Sequence, residues 1–278
     1  MKNTPLRKKQ YVEMEGIRYY IECSGEGRPL FCLHGFSEDH TTWNTLNLNG
    51  YRLYKIDLIG HGKTDRPEDR NSYRPEVLIR HLHELIHRLV DTEYSLLGYS
   101  MGGRLALSYT LQYPREVKAF ILESSSLGIP DKKARTARVQ SDRRLAEQIL
   151  CNGMEWFAEY WSDLEIFATQ KSLSKDLRAQ IRQRRVQNSA WALANTLFEI
   201  GQGTFPYLGE KLSGLSVPLL YVAGELDKKY VLEGSRFLEK HENTTLEVIP
   251  EAGHNVHLEK SREFQTTVRT FLEKENPL

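Results

Sequence analysis

Residues 96–104 read LLGYSMGGR, a G-x-S-x-G motif that follows an apolar run typical of a strand and precedes one typical of a helix. A serine on a strained strand-to-helix turn needs neighbours with almost no side chain, and Gly98 and Gly102 supply them. Such a turn exposes the Ser100 hydroxyl at the start of the helix. The motif therefore predicts a nucleophile elbow with Ser100 at its tip.

Arg104 distinguishes this elbow from that of a generic esterase. In a helix that starts at Ser100, Arg104 lies one turn later on the same face, and its side chain leans back towards the helix start. The guanidinium would then lie beside the serine hydroxyl, which suits an anionic substrate better than a neutral ester. The alternative is an ordinary arginine on an exposed helix surface.

A general base and an orienting acid are expected later in the chain, with the acid first. Residues 217–223 are typical of a buried strand, and Asp227 follows them on a loop; residues 246–250 form another strand-like run, which His254 follows. A carboxylate on one imidazole nitrogen leaves the other nitrogen free to take the serine proton. We therefore predict the catalytic triad Ser100, Asp227 and His254. The alternatives, a turn residue at 227 and a helix-start polar group at 254, leave this order unexplained.

An oxyanion hole is predicted from an earlier strand-like run. Residues 30–36 are apolar and end in His34-Gly35-Phe36, the place where a loop N–H should face the elbow. The backbone N–H groups of Phe36 and Met101 would together stabilise a negatively charged oxygen.

Composition is that of a globular enzyme. The chain has 278 residues, of which 40% are hydrophobic and 27% charged, which fits one large domain with an insertion. No apolar stretch approaches the ~20 residues that span a bilayer, and the basic residues 1–9 lack the apolar region of a secretory signal. Cys23, Cys32 and Cys151 are odd in number and scattered, which favours reduced thiols. We expect a cytoplasmic protein without membrane insertion.

Strand-like and helix-like segments alternate along most of the chain. Residues 11–23 predict an antiparallel strand pair, and the later alternation is typical of a mostly parallel, doubly wound sheet. Residues 127–210 break this alternation, because they are helix-rich and contain no convincing strand. We therefore predict an α/β fold with a core domain formed by residues 1–126 and 211–278 and a helical cap formed by residues 127–210.

The cap segment is cationic. Residues 131–190 contain eight Arg and four Lys against eight Asp and Glu, a net charge of +4, whereas the whole chain has a net charge of +1. A positive field over the cleft would favour an anionic small molecule. The alternative is a solvated helix face with ordinary i,i+4 pairs. A pI near 7.7 argues against nucleic acid as a partner.

Residues 83–87 read HELIH and match the H-E-x-x-H zinc signature. The spacing places His83 and His87 on one face of a helix, as a zinc site requires. The apolar face of that helix lies elsewhere, which predicts that the histidines face solvent, and no third ligand follows at a suggestive spacing. We therefore expect no metal. Nor is a nucleotide or flavin cofactor expected, since no P-loop and no G-x-G-x-x-G follows a strand.

Four segments together resemble one family, the menaquinone-pathway synthase of the α/β-hydrolase fold that makes 2-succinyl-6-hydroxy-2,4-cyclohexadiene-1-carboxylate (SHCHC). The resemblance extends from about residue 12 to the C-terminal helix and includes the cap. The elbow and the triad are shared by many hydrolase families. The features specific to this family are Arg104, residues 138–142 and Arg185 ahead of Gln187-Asn188. The four segments are residues 34–43, 57–62, 98–104 and 252–257.

The resemblance implies a carbon–oxygen lyase. In the family the serine acts as a base on 2-succinyl-5-enolpyruvyl-6-hydroxy-3-cyclohexene-1-carboxylate, and pyruvate is eliminated to give SHCHC. This substrate carries three carboxylates, so Arg104, Arg138 and Arg185 are implied as its ligands. Tyr99 and Trp161 are implied to line the pocket, although Tyr160 or Trp156 could take the place of Trp161.

Two other functions share part of this pattern. A carboxylesterase or carbon–carbon bond hydrolase has the same fold and triad but no use for a cation at Arg104. A receptor-like binding module retains the fold and responds by movement of the cap, and fold analogy alone does not exclude it. The sequence predicts no oligomeric state.

Overall fold

A computed structural model of the protein describes residues 8–275. Residues 1–7 and 276–278 lie outside the described residues. Both segments belong to the predicted core domain, and residues 1–7 are part of the basic start of the chain. The eight strands of the described chain are β1 (Lys8–Met14), β2 (Ile17–Ser24), β3 (Arg28–Leu33), β4 (Tyr51–Ile56), β5 (Tyr94–Tyr99), β6 (Val117–Glu123), β7 (Leu219–Gly224) and β8 (Thr244–Ile249).

These strands form one sheet in the order β1-β2-β4-β3-β5-β6-β7-β8. β1 pairs antiparallel with β2, and β2 pairs antiparallel with β4; from β4 onwards every pairing is parallel. The predicted antiparallel pair and the mostly parallel, doubly wound sheet are confirmed.

The helices connect the strands and close both faces of the sheet. They are α1 (Pro75–Leu89), α2 (Met101–Gln112), α3 (Lys132–Asp163), α4 (Lys175–Val186), α5 (Ala190–Ile200), α6 (Lys228–Lys240), α7 (Val256–Glu259) and α8 (Ser261–Glu275). Short 3-10 helices lie at His40–Thr45, Arg70–Tyr73, Glu165–Ser172 and Leu212–Gly214. Helix α3 is interrupted at Gly153, whose φ of 78° and ψ of −176° are not helical.

The core lies on both faces of the sheet, as strands buried on two sides require. β5 is buried along its whole length. One face packs against α1 and α2, for example through Leu82, Ile86 and Leu105, and the other against α8 through Phe264 and Val268. Central strands covered in this way hold their carboxyl ends, and the loops that follow them, in fixed positions.

Between β6 and β7 the described chain contains helices and turns but no strand. Helices α3 and α5 share a small core of their own, formed by Ala146, Ile149, Phe157, Leu193, Ala194 and Leu197. This helical segment meets the core domain where Trp161 packs against Phe36 with ring centroids 5.3 Å apart. Within residues 8–275, no helix combines the length and apolarity needed to cross a bilayer.

Candidate active site

The nucleophile elbow lies between β5 and α2, and its two glycines are dictated by space. A Cβ atom on Gly98 would lie 2.5 Å from the Gly102 carbonyl oxygen, and one on Gly102 would lie 2.3 Å from the Leu33 carbonyl oxygen. Ser100 itself has φ 50° and ψ −106°, a conformation that L-residues rarely adopt. Its N–H donates to the Glu123 carbonyl at 2.8 Å, which fixes the strained turn against β6.

The three predicted triad residues lie in hydrogen-bond contact. The His254 Nε2 atom is 3.2 Å from Ser100 Oγ, and His254 Nδ1 is 2.6 Å from Asp227 Oδ2. A carboxylate only accepts, so Nδ1 carries the proton and Nε2 presents a lone pair to the serine hydroxyl. Asp227 and His254 are buried, whereas Ser100 is partly exposed to the cavity described below.

Aromatic rings and a backbone clamp fix the position of His254. The rings of Tyr99 and Tyr230 pack on it with centroids 5.3 and 4.7 Å away, and Phe167 of the cap lies at 5.8 Å. The Glu259 carboxylate accepts from the N–H groups of Gly253 and Asn255, on either side of the histidine, at 2.7 and 3.2 Å. The imidazole is therefore held by its surroundings in the orientation that reaches Ser100.

The two predicted oxyanion-hole residues both line the same cavity as Ser100. Met101 is the first residue of α2, so its N–H has no partner within the helix. Among residues 8–275, no acceptor takes the N–H of Phe36. The preceding loop is fixed by His34, whose Nε2 accepts from the Leu58 N–H at 3.0 Å and whose Nδ1 donates to the Gly35 carbonyl at 2.7 Å.

A cavity of about 440 Å³ opens above the serine, in the range typical of small-molecule sites. Of the ten residues that the sequence analysis assigns to the site, nine line it and Asp227 lies behind His254. Five charged groups of the lining are cations and two are anions. These are Arg104, Arg138, Arg144, Arg185 and Lys229 against Glu38 and Asp142.

Arg104 points into this cavity and is buried rather than exposed on the helix surface. One guanidinium nitrogen donates to the Ile200 carbonyl at 2.8 Å, Nε has no partner in the part of the chain that the structure describes, and the group lies over the Phe205 ring. Burial lowers the pKa of Arg104 to about 10. No carboxylate of the described chain forms an ion pair with it. Burying a cation without a paired anion costs free energy, so this geometry favours the binding of an anionic ligand.

Arg185, on α4 of the cap, is likewise a buried guanidinium whose hydrogen-bond partners carry no charge. It donates to Ser162 Oγ at 2.5 Å and to Gln170 Oε1 at 3.3 Å, and both partners are neutral. Its guanidinium lies 5.0 Å from the centroid of the Phe167 ring. Burial lowers the pKa of Arg185 to about 10 as well. Among the residues described, no carboxylate lies within ion-pair distance of Arg185, and Glu38 acts on it only from farther away.

Arg138 differs from the other two arginines. Its Nε donates to Asp142 Oδ1 at 2.7 Å, and a second nitrogen donates to the Gln202 side chain. The side chain is about one-third exposed, and Asp142 Oδ2 also accepts from the Gly203 N–H at 3.1 Å. Arg138 is therefore positioned at the cavity wall with its charge already balanced, so it can bind an anion only in competition with Asp142.

A hydrogen-bonded network joins Tyr99 to the arginines of the cap. The Tyr99 hydroxyl and the Gln170 amide both donate to Asn255 Oδ1 at 2.8 Å, and the Asn255 amide donates to Glu38 at 2.9 Å. Gln170 in turn accepts from Arg185. Burial raises the pKa of Tyr99 well above its usual value, so the phenol stays protonated and donates.

The aromatic wall contains two of the three candidates that the sequence left open. Trp161 and Tyr160 both line the cavity, whereas Trp156 stacks on Tyr160 with ring centroids 5.0 Å apart. Trp161 also packs against Phe157 and Phe167. The cap therefore contributes aromatic rings to the lining of the cavity that contains Ser100.

Sequence reasoning missed several lining residues, notably Tyr230, Lys229 and Glu38. Tyr230 and Lys229 lie in the first turn of α6, shortly after Asp227. Their position just after a predicted triad residue is the signal that could have identified them. Glu38 lies two residues after Phe36, on the same loop as the predicted oxyanion N–H. Arg144 and Gln148 lie on α3 at helical spacing from Arg138 and carried no separate signal.

Several proteins match this chain over most of their own length. Residues 28–261 match the family model described as the alpha/beta hydrolase fold. A Bacillus subtilis (strain 168) protein that bears the name of a 2-succinyl-6-hydroxy-2,4-cyclohexadiene-1-carboxylate synthase is 37% identical over 93% of this chain and 96% of its own length. The protein of that name from Enterobacter sp. (strain 638) is 30% identical over 83% of this chain and 86% of its own.

Solved structures extend the comparison to three dimensions. The structure of MenH from S. aureus matches with a TM-score of 0.86 and 32% identity, over 94% of this chain and 99% of that one. A thermophilic esterase from Thermogutta terrifontis matches with a TM-score of 0.82 over 97% of this chain and 99% of its own, and at 24% identity this likeness shows the fold alone. The chain therefore belongs to the α/β-hydrolase fold family and, within it, to the 2-succinyl-6-hydroxy-2,4-cyclohexadiene-1-carboxylate synthases.

Proposed function

We propose that this chain eliminates pyruvate from 2-succinyl-5-enolpyruvyl-6-hydroxy-3-cyclohexene-1-carboxylate to give SHCHC, a step of menaquinone biosynthesis. The names of its relatives support this reaction. The main support from the structure of this chain is one feature of the cavity. Arg104 and Arg185 are buried in the lining of the cavity that contains Ser100, and no carboxylate of the described residues forms an ion pair with either. A substrate with three carboxylates supplies the missing anions.

In this proposal Ser100 is the base. Its Oγ–H donates to His254 Nε2, so the oxygen gains electron density as the imidazole accepts the proton, and Asp227 stabilises the imidazolium that forms. The serine oxygen removes a proton from the ring carbon beside the succinyl carbonyl. The released electron pair shifts through the ring double bond and breaks the C–O bond to the enolpyruvyl group, which leaves as the enolate of pyruvate. The proton taken from the ring carbon is held by the Ser100–His254 pair, and its transfer to the enolate gives pyruvate and restores the neutral serine and imidazole.

The charge that develops during proton removal lies on the succinyl carbonyl oxygen. The N–H groups of Phe36 and Met101 are fixed before the reaction starts and have no competing acceptor within residues 8–275, as electrostatic stabilisation requires. Arg104 and Arg185 bind the carboxylates and hold the reacting carbon within reach of Ser100. Tyr99 and Trp161 line the space for the ring, and Arg138 binds the third carboxylate in competition with Asp142.

A carboxylesterase or carbon–carbon hydrolase would use the same triad. A neutral substrate forms no ion pair with the two buried guanidinium groups, whereas a tricarboxylate supplies a carboxylate to each. A receptor-like module has no need of a serine that is strained at φ 50° and hydrogen-bonded to a histidine and an acid in series. Both alternatives therefore explain less of the cavity than the lyase does.

Location and partners complete the proposal. We infer that the protein works in the cytoplasm, which its three free cysteines support, two of them buried at Cys23 and Cys32. The partner is an anionic small molecule, drawn to a lining with more cations than anions.

The direct test follows pyruvate release from the enolpyruvyl substrate. Wild type should release pyruvate, and Ser100→Ala should lose at least about 10⁴-fold in kcat, in line with the loss of other triad members. Ser235→Ala, on α6 outside the cavity, is the matched control and should keep full activity. Efficient hydrolysis of simple esters without pyruvate release from the tricarboxylate would instead identify the chain as a hydrolase.

A further inference from the structure

Two histidines of α1 meet a glutamate from a distant part of the chain, outside the active site. His83 Nε2 lies 3.2 Å from Glu116 Oε1, His87 Nε2 lies 3.1 Å from Glu116 Oε2, and the two Nε2 atoms lie 3.1 Å apart. Glu116 lies in the turn between α2 and β6. The sequence predicts solvated histidines and offers no third ligand at a suggestive spacing. The fold supplies a third ligand, because the α2–β6 turn brings Glu116 beside α1.

Hydrogen bonds alone do not satisfy all three contacts in this triangle, which His83, His87 and Glu116 form. The carboxylate only accepts, so each Nε2 must carry a proton to bond to it. Two N–H groups then face each other at 3.1 Å without an acceptor between them. If one nitrogen gives up its proton to accept from the other, its own contact with Glu116 becomes a contact between two lone pairs. A cation at the centre removes the conflict, since all three groups can then present lone pairs to it.

The separations fit a divalent transition metal. Ligand atoms about 2.0–2.1 Å from a tetrahedral Zn²⁺ are about 3.3 Å apart, close to the three distances found here. Imidazole and carboxylate ligands suit zinc, and two histidines at i and i+4 on one helix face are a recurrent zinc pair. The side chains remain 27%, 48% and 32% exposed for His83, His87 and Glu116, so an ion can enter and a water can fill the fourth position.

Outer contacts hold the glutamate and one histidine in place. The Tyr94 hydroxyl donates to Glu116 Oε2 at 2.8 Å, and the Tyr113 ring stacks on His83 with centroids 3.9 Å apart. Such second contacts orient metal ligands in known sites. The other His and Asp group of the described chain, around Asp57, is different: its carboxylate already accepts from the His40 and Lys63 N–H groups at 2.6 and 2.8 Å.

We propose that His83, His87 and Glu116 form a structural Zn²⁺ site that ties α1 to the α2–β6 turn. The site is not catalytic, because Glu116 follows the C-terminal end of α2 and Ser100 precedes its N-terminal end, about 18 Å away along a helix of 12 residues. Zinc bound to the folded chain and not to the unfolded one stabilises the fold by mass action. The proposal is independent of the reaction at Ser100.

The test is calorimetric titration of the untagged, chelator-treated full chain with Zn²⁺ alone, together with thermal unfolding. Wild type should bind one ion per chain and unfold at a higher temperature with zinc. His87→Gln and Glu116→Gln should each weaken binding by more than about tenfold, since even outer-shell partners of metal sites cost roughly 10–100-fold.

Glu84→Gln is the matched control, because Glu84 belongs to the same H-E-x-x-H motif and helix but lies outside the triangle. It should leave zinc affinity unchanged. Absence of one-to-one binding in wild type, or equal affinity in wild type and both cluster variants, overturns the proposal. Loss of pyruvate release when zinc is removed would contradict the structural role.

Discussion

Replacing Arg104 with methionine should stabilise the protein and disable it. Burial lowers the pKa of Arg104 from 12.5 to about 10, and each pKa unit corresponds to about 1.4 kcal/mol, so keeping this group charged in the fold costs about 3 kcal/mol. The substitution also removes the hydrogen bond to the Ile200 carbonyl, worth about 1 kcal/mol. The net gain of about 2 kcal/mol should raise the melting temperature by roughly 4–8 °C.

The same substitution should weaken catalysis on the anionic substrate. Truncating one partner of a buried, hydrogen-bonded charge pair costs about 2–4 kcal/mol, which corresponds to a loss of roughly 30- to 1000-fold in kcat/KM. The assay follows pyruvate release from the tricarboxylate and, separately, hydrolysis of a small neutral ester. Only the first reaction should suffer, because the neutral ester makes no ion pair with the guanidinium.

Arg178→Met provides the control for Arg104→Met, since Arg178 is an exposed arginine of the cap. It should change neither melting temperature nor kcat/KM appreciably. A melting temperature of Arg104→Met below that of wild type would refute the burial argument. Equal losses on the tricarboxylate and on the neutral ester would refute the anion-binding role.

Three further substitutions test the elbow, the triad and the core. Asp227→Asn should lower kcat about 10⁴-fold by favouring the wrong imidazole tautomer, and a loss below tenfold would contradict this. Gly102→Ala should destabilise by about 1–3 kcal/mol in urea unfolding, because its Cβ would lie 2.3 Å from a carbonyl oxygen, whereas Gly214→Ala, with nothing within 4 Å, should not. Burial lowers the pKa of His61 from 6.5 to about 3. The unfolded chain therefore binds the extra proton, and stability should fall by up to about 1.4 kcal/mol per pH unit below pH 6.5. His61→Gln should show a smaller loss between pH 7 and pH 5, and an equal loss would show that other groups dominate.

The elbow and the sheet could be predicted from sequence because their causes are local. Gly98 and Gly102 are required by contacts within a few residues of Ser100 or with the adjacent strand β3, and strand runs alternate with helices in an order that admits few topologies. Arg104 belongs to the same class. Its position one turn after the serine follows from helix geometry alone, and the structure places it in the cavity.

Contacts between distant segments could not be predicted in this way. Glu116 reaches His87 across 29 residues, and nothing in the spacing of the H-E-x-x-H motif indicates an acid in a later turn. Tyr230 depends on helix α6, which the sequence analysis did not identify. The pairing of Arg138 with Asp142 is an ordinary i,i+4 contact, so the sequence did not separate this arginine from Arg104, which has no ion pair.

The two buried arginines without carboxylate partners belong to different parts of the molecule. Arg104 lies on α2 of the core and Arg185 on α4 of the cap, and burial destabilises the charged form of each, since no carboxylate within residues 8–275 forms an ion pair with it. A polyanion that contacts both removes the two penalties together and links cap to core through its own rigid ring. The same ligand is then held against Ser100, whose hydroxyl faces the space between these two elements. Binding energy gained at the remote carboxylates is therefore available to orient the carbon that loses its proton.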